Sequence, residues 1–335
     1  MIAYTKPSLL SAAFVAALLG TAPAAFAQDK INLMMNWTAD SAHLGFAVAQ
    51  ASGLYEAAGL EVEFTEGKGS AVAAQMVAAG QADIGLADTV AILNVASQGA
   101  PIRIISTVWK SGQFGVQYLT SSDITTPADL KGKKLAVSPG SAMQPLIPVF
   151  LRANGIADNE VEIITANSNT FLGLLTTGQV DAVSDTPEKV VIPLAAEGKE
   201  AGNLYFYTNG VPLASLSLVA SEAALAEKPE AYRKFVEATA QGWQKAMEDP
   251  EAAVAALLQI FPESEHKPET LVQASAFSFN SICPGGAGDT IGVTSAETWD
   301  EMYAVLTSAL NLPSDRPITD YYTLDFAPAT PVLCK

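Results

Sequence analysis

Residues 30–64, KINLMMNWTADSAHLGFAVAQASGLYEAAGLEVEF, contain one strand–helix–strand unit. KINLMMN (30–36) reads as a buried strand. HLGFAVAQASGLYEAAG (43–59) has the apolar spacing of an amphipathic helix and stops at Gly59, and LEVEFTE (60–66) alternates as a second strand. Strands joined through a helix lie parallel, so the unit predicts an α/β fold with a mainly parallel sheet covered by helices on both faces. The turn NWTADSAH (36–43) is unusual. Connectors favour small polar residues, yet this one holds one of four Trp and one of two His. From the residues alone two readings stay open: a ligand site, or a helix entrance capped by Asp40 or Ser41 with Trp37 in the core.

The alternation continues outward. SAVAAQMVAAGQ (70–81) reads as helix, ADIGLAD (82–88) as a short buried strand, TVAILNVASQGA (89–100) as helix and PIRIISTVW (101–109) as strand. A second series follows, with strands at FGVQYLTSS (114–122), VEIITAN (161–167) and VDAVSDT (180–186), and a further strand ahead of SPGS (138–141). Helices are expected at 142–155, 170–179 and 187–198, and two strands around Asn209-Gly210. From Ser221 to about Asn311 the chain is mostly helical, with breaks at Pro229, Pro250, Pro262 and Pro268. If those last helices return to the first unit, the chain crosses between two lobes twice, near Gln113–Tyr118 and Gly210–Leu216. Pattern alone does not decide this.

Composition narrows the function classes. Lys6 precedes an apolar run too short to span a bilayer, and Ala25-Phe26-Ala27 has the form of a signal-peptidase site. Residues 1–27 are therefore expected to be a cleaved secretory signal, leaving a soluble exported protein. The net charge of −17 argues against nucleic acid or an anionic membrane as partner. Cys283 and Cys334 are the only cysteines, and in an oxidising compartment they are expected to form one disulfide. No metal or cofactor is implied. No nucleophile motif or carboxylate pair at telling spacing appears, and the two His are far apart, so no enzyme is expected. CPGGAGDTIGV (283–293) lacks the Lys-Ser/Thr ending of a phosphate loop and does not follow a strand.

The stretches NWTADSAHLGFAVAQASGLYEAAGLEVEF (36–64), QMVAAGQADIGLAD (75–88) and SDITTPADLKGKKLAVSPGSA (122–142) resemble the periplasmic substrate-binding proteins of ABC importers. The branch is the one handling thiamine-precursor pyrimidines, nitrate, sulfonates and taurine. The resemblance implies a two-lobed, type II-like periplasmic-binding-protein fold, with two crossover strands as hinge. Residues 28–116 and 214–335 would form the first lobe and 117–213 the second. It also implies a periplasmic monomer that hands a small molecule to an inner-membrane permease with its ATPase.

In open α/β sheets ligands bind beyond the carboxyl ends of the strands. Four such junctions carry chemistry. Trp37 and His43 supply a stacking face and a polar ring, and the resemblance places ligand contacts in their turn. Asp88 and Thr89 follow the third strand, where Asp88 either caps a helix or accepts from a ligand amino group. Ser138, Gly140 and Ser141 offer amides and hydroxyls for a polar or anionic group. Asp185 precedes a helix start in which Thr186, Pro187 and Glu188 make ordinary capping chemistry. Pyrimidine-binding relatives place aromatics and a Glu around that junction, whereas SDTPEKV has no aromatic. Trp109 and Gln113 either face the ligand or pack in the hinge. None of the four Arg sits at a junction, which disfavours a clamped carboxylate. Two ligand classes remain: a neutral or weakly basic N-heterocycle on Trp37 and Asp88 or Asp185, favoured by the carboxylates, or a small sulfonate-like anion near Ser141.

Overall fold

The computed structural model describes residues 1–3, 28–139, 141, 143–310 and 316–335. Residues 4–27 of the expected signal, and the candidate ligand residue Gly140, lie outside them. Ten strands are found among the described residues: β1 (Asp29–Met34), β2 (Leu60–Thr65), β3 (Ile84–Asp88), β4 (Ile102–Thr107), β5 (Gly115–Leu119), β6 (Lys134–Val137), β7 (Glu162–Thr165), β8 (Ala182–Asp185), β9 (Ala201–Tyr205) and β10 (Leu216–Ser221). They form two five-stranded sheets, ordered β2-β1-β3-β10-β4 and β7-β6-β8-β5-β9.

In each sheet four strands run one way and one runs against them. The reversed strands are β10, antiparallel to β3 and β4, and β5, antiparallel to β8 and β9. Each is the first strand after a crossover. A chain leaving the carboxyl end of one sheet enters the next at its near edge and must run away from the gap. The carboxyl ends of β1, β3, β6 and β8 therefore border the same gap as the amino ends of β5 and β10. The segment 203–221, read as two strands around Asn209-Gly210, supplies β9 and β10 to different sheets; it is a crossover and not a hairpin. The residues expected as helix at 142–155 begin with a 3-10 turn, Gln144–Leu146, and become α-helical only from Ile147 to Ala153.

Six helices frame the gap or the core: α1 (Leu44–Ala51), α2 (Thr89–Ser97), α3 (Pro187–Ala196), α4 (Pro229–Glu248), α5 (Pro268–Ile282) and α6 (Ala296–Leu310). α1 crosses α4 at Gly45 and Gly242. A Cβ at Gly242 would stand 2.2 Å from the Gly45 carbonyl oxygen, and one at Gly45 2.2 Å from the Trp243 ring. Any larger side chain there would push the helices apart. Trp243 is buried, edge-on to Phe46 and Phe279, and so ties the late helices to the first sheet.

The two sheets are joined by more than the chain. Met302 and Leu306 of α6 share one apolar cluster with Leu146, Ile147 and Leu213, and Met302 Sδ accepts a hydrogen bond from the Ala214 N–H at 2.9 Å. On the opposite flank α3 packs against α5. Cys283 and Cys334 form a disulfide. It holds the C-terminal tail beside the loop at 288–291, where Ile291 N–H donates to Val332 and Cys334 N–H to Asp289.

Candidate functional site

The turn after β1 is fixed from several sides. Asp40 Oδ1 caps the following 3-10 turn by accepting from Ala42 N–H at 2.8 Å, and Glu66 accepts from Ala39 N–H at 2.7 Å. The loop after β2 closes over it, with Gly67 N–H donating to the Trp37 carbonyl and Gly69 N–H to that of Asn36. A Cβ at Gly67 would lie 1.8 Å from the Met35 carbonyl oxygen, so only glycine permits this approach.

Trp37 is not core: it is 53% exposed. His43 is the reverse, 1% exposed with both ring nitrogens engaged. Nε2 lies 3.0 Å from Asn36 Oδ1, and Nδ1 lies 3.2 Å from the Asp40 amide nitrogen and 2.9 Å from Asp40 Oδ1. The expectation of His43 as a ligand contact is therefore corrected. The imidazole is spent inside the turn, and the turn presents Trp37 and Asp40 instead. Burial pushes the Asp40 carboxyl up, but His43 and the Ala42 amide outweigh it and hold the group below its ordinary value.

At the second junction Asp88 caps α2, accepting from Val90 N–H at 3.0 Å and from the Ser215 hydroxyl at 2.9 Å. Burial raises its carboxyl pKa despite both bonds. Thr89 is 1% exposed, and its hydroxyl donates to the Ser215 carbonyl at 2.7 Å and lies 2.9 Å from Ser217 Oγ. It ties α2 to β10 and has no free face for a ligand, a second correction. At the third junction the half-buried Ser138 accepts from Ser141 N–H at 3.2 Å. The Ser141 hydroxyl is buried without a partner.

Asp185 is 3% exposed. Its backbone N–H and carbonyl both pair with the Gln117 side-chain amide, and its Oδ1 accepts from Thr186 N–H at 2.8 Å. Lys189 Nζ stands 3.8 Å from the same oxygen. The more consequential residue is the next acid along. Glu188, in the first turn of α3, is pushed up to about 7, first by burial and then by the Asp40 charge across the gap, against a smaller opposing effect of Lys189. Sequence explained Glu188 as capping chemistry. What it lacked was the opposing carboxylate, which only the packing of α3 and the Asp40 turn around α5 supplies.

No arginine reaches these junctions. Arg103 donates to the Thr319 carbonyl, Arg152 faces Asp158, Arg233 bonds Glu230 and the Asp325 carbonyl, and Arg316 bonds Asp320 and the Ala96 carbonyl. Lys110, in the first crossover, pairs with Asp289, which partly offsets the burial that lowers its pKa. A cavity of about 430 Å³ lies against this pair, lined also by Tyr207 and Thr294. A second, of about 680 Å³, opens beside Thr38, Ala39, Glu66 and His266, next to the Asp40 turn. Asp88, Ser141 and Asp185 line neither cavity. Among the described residues no cluster of three His, Cys, Asp or Glu is arranged to hold a metal ion, and no helix is long and apolar enough to cross a membrane.

Sheets that face each other across a doubly crossed gap have the periplasmic-binding-protein architecture. The family model described as NMT1/THI5 like matches residues 40–253, from the Asp40 cap into the late helices. The chain belongs to the NMT1/THI5-like family. Its relatives include the formylaminopyrimidine-binding protein of Halalkalibacterium halodurans, 24% identical over 282 residues that cover 84% of this chain and 85% of that one. They also include the 4-amino-5-hydroxymethyl-2-methylpyrimidine phosphate synthase THI5 of Saccharomyces cerevisiae, 23% identical over 248 residues, 70% of this chain and 72% of that one. Among solved structures, the periplasmic aliphatic sulphonate binding protein SsuA of Escherichia coli superposes with a TM-score of 0.67 at 15% identity, covering 87% of this chain and 96% of that one. The NMT1/THI5-like family thus joins proteins named as binders and proteins named as synthases, and the site has to distinguish them.

Proposed function

We propose that this NMT1/THI5-like chain is the periplasmic solute-binding component of an ABC importer, carrying a small, weakly basic N-heterocycle between its lobes to a membrane permease and its ATPase. In this reading residues 1–27 are a cleaved signal, residues 28–116 and 214–335 form one lobe, 117–213 form the other, and the protein works as a monomer without catalysis. The carrying observation is the half-buried Glu188 at the start of α3, which burial first and then the charge of Asp40 in the facing turn push up to about 7. A buried carboxyl that feels the charge of a second carboxylate favours a ligand that brings N–H donors and positive charge. Asp88 adds a third carboxylate whose charged form burial disfavours. Trp37, half exposed in the same turn as Asp40, offers a face for a flat ring. The formylaminopyrimidine-binding relative agrees with this class of ligand.

A second reading is a small sulfonate at the 138–141 turn, favoured by the unpartnered Ser141 hydroxyl. Calorimetric titration with 4-aminopyrimidine and with methanesulfonate tests the two. The first should bind and the second should not; binding of methanesulfonate alone overturns the heterocycle reading. Recovery of the heterocycle chemically unchanged after incubation separates a carrier from an enzyme.

A further inference from the structure

The first crossover, residues 108–114, has no regular secondary structure, yet Val108 to Gln113 are all buried. Buried irregular backbone must find partners, and here it does. Trp109 N–H donates to the Leu216 carbonyl at 2.8 Å, and the Trp109 carbonyl accepts from Ser215 N–H at 3.0 Å. Ser111 N–H donates to the Ser281 carbonyl, and Gly112 N–H to that of Leu213. Two side-chain donors are left over. Trp109 is 7% exposed and Gln113 3%, and Trp109 Nε1 and Gln113 Nε2 are buried without a hydrogen-bond partner. Native structures rarely leave such groups without a reason.

Register places both donors. Leu216 pairs with Asp88 across β3 and β10, and Trp109 extends the same row on the other side of β10. Ser215, which bonds Trp109 through its backbone, bonds Asp88 through its side chain. In the second sheet Gly115 pairs with Asp185, and Gln113 lies two residues before it, at the edge of the gap. The Trp109 ring packs beside Ile105, Val108 and Leu216 in the first apolar cluster, and the backbone that carries both orphaned donors adjoins the strand ends bearing Asp88 and Asp185.

Resting on the heterocycle reading above, we propose that Trp109 and Gln113 are ligand-binding residues that together receive a carbonyl oxygen, so that the site selects an amino-oxo heterocycle over an amino heterocycle lacking the oxygen. The amino edge meets the carboxylates, and the oxygen accepts from the indole and amide N–H groups of the crossover. Because these donors belong to a segment linking the two lobes, the oxygen is read at the hinge and not by either lobe alone.

The test uses the full chain, its Gln113→Met and Trp109→Phe variants, and two probes, cytosine and 4-aminopyrimidine, followed by calorimetry and by thermal melts without probe. The wild type should bind cytosine about tenfold more tightly, the effect of a buried hydrogen-bonded oxygen. That preference should fall toward parity in each variant. Gln113→Met should melt at or above the wild type, because it removes a buried donor that has no partner in the free protein. The melt guards against a variant that merely misfolds, and Gln113→Met keeps the test decisive if Trp109→Phe does not fold. Equal affinity of the wild type for both probes overturns the inference while leaving the heterocycle reading intact. So does a cytosine preference that survives in Gln113→Met, or a Gln113→Met melt well below the wild type with cytosine affinity unchanged. If neither probe binds and methanesulfonate does, the underlying reading fails first and the inference with it.

Discussion

Replacing Glu188 by Gln keeps the shape of the side chain and removes the charge that faces Asp40. In the folded protein this carboxyl titrates at about 7, against an ordinary 4.5. The folded state therefore binds the proton more tightly than the unfolded state. Stability linked to that proton is complete below pH 4.5 and is lost as pH rises through 7. At about 1.4 kcal/mol per pH unit, the gap of about 2.5 is worth about 3 kcal/mol at most. Glu188→Gln should therefore resemble the wild type at pH 5 and exceed its stability at pH 8 by up to about 3 kcal/mol. Urea unfolding of the ligand-free protein at both values measures this. The same variant should bind 4-aminopyrimidine more weakly, since a carboxylate that welcomes N–H donors is gone. Parallel pH profiles for the two proteins would refute the reasoning, because Glu188 would then be neither buried nor close to the Asp40 charge in solution.

Three further outcomes follow from the same geometry. Asp88→Asn should cost about 1 kcal/mol of folding stability or less, because the amide oxygen still caps α2, while a heterocycle loses a charged acceptor and methanesulfonate loses nothing; paired titrations and melts show the split. Trp37→Ala should leave the melting temperature almost unchanged, since the ring is half exposed, and should weaken heterocycle binding by about 1–3 kcal/mol in calorimetry; a large drop in melting temperature with normal binding would return Trp37 to the core. Cys334→Ser opens a loop with a sequence separation of 51 and should cost about 4 kcal/mol in urea unfolding on the chain-entropy model.

Much of the fold was legible because apolar spacing and capping residues act over a few neighbours. β3 at Ile84–Asp88 and α2 beginning at Thr89 lie where the apolar run and the Asp88 cap place them. The candidate junctions follow from the rule that strand ends border the gap, and the surroundings of their side chains do not. Whether a turn residue faces outward depends on partners from remote parts of the chain. Thr89 is claimed by Ser215 and Ser217 of the returning segment, and His43 by the geometry of its own turn. Glu188 was missed as chemistry because its pKa is set by burial against another lobe, which capping rules do not contain.

The position of β10 has a consequence for the order of assembly. The second sheet draws its strands from one continuous stretch, Gly115 to Tyr205, and can close as soon as that stretch is available. The first cannot. Its β3 and β4 meet only through β10, so residues 29–107 alone leave a slot in the middle of the sheet with a strand edge exposed on each side. Such edges invite wrong pairing. Until Ser221 has emerged from the ribosome, the first lobe has no native arrangement to adopt, and its closing contacts carry the loop-closure cost of spanning an entire second domain. Folding is thus expected to nucleate in the second sheet. The late arrival of six residues then converts the N-terminal third of the chain from an open template into a finished domain.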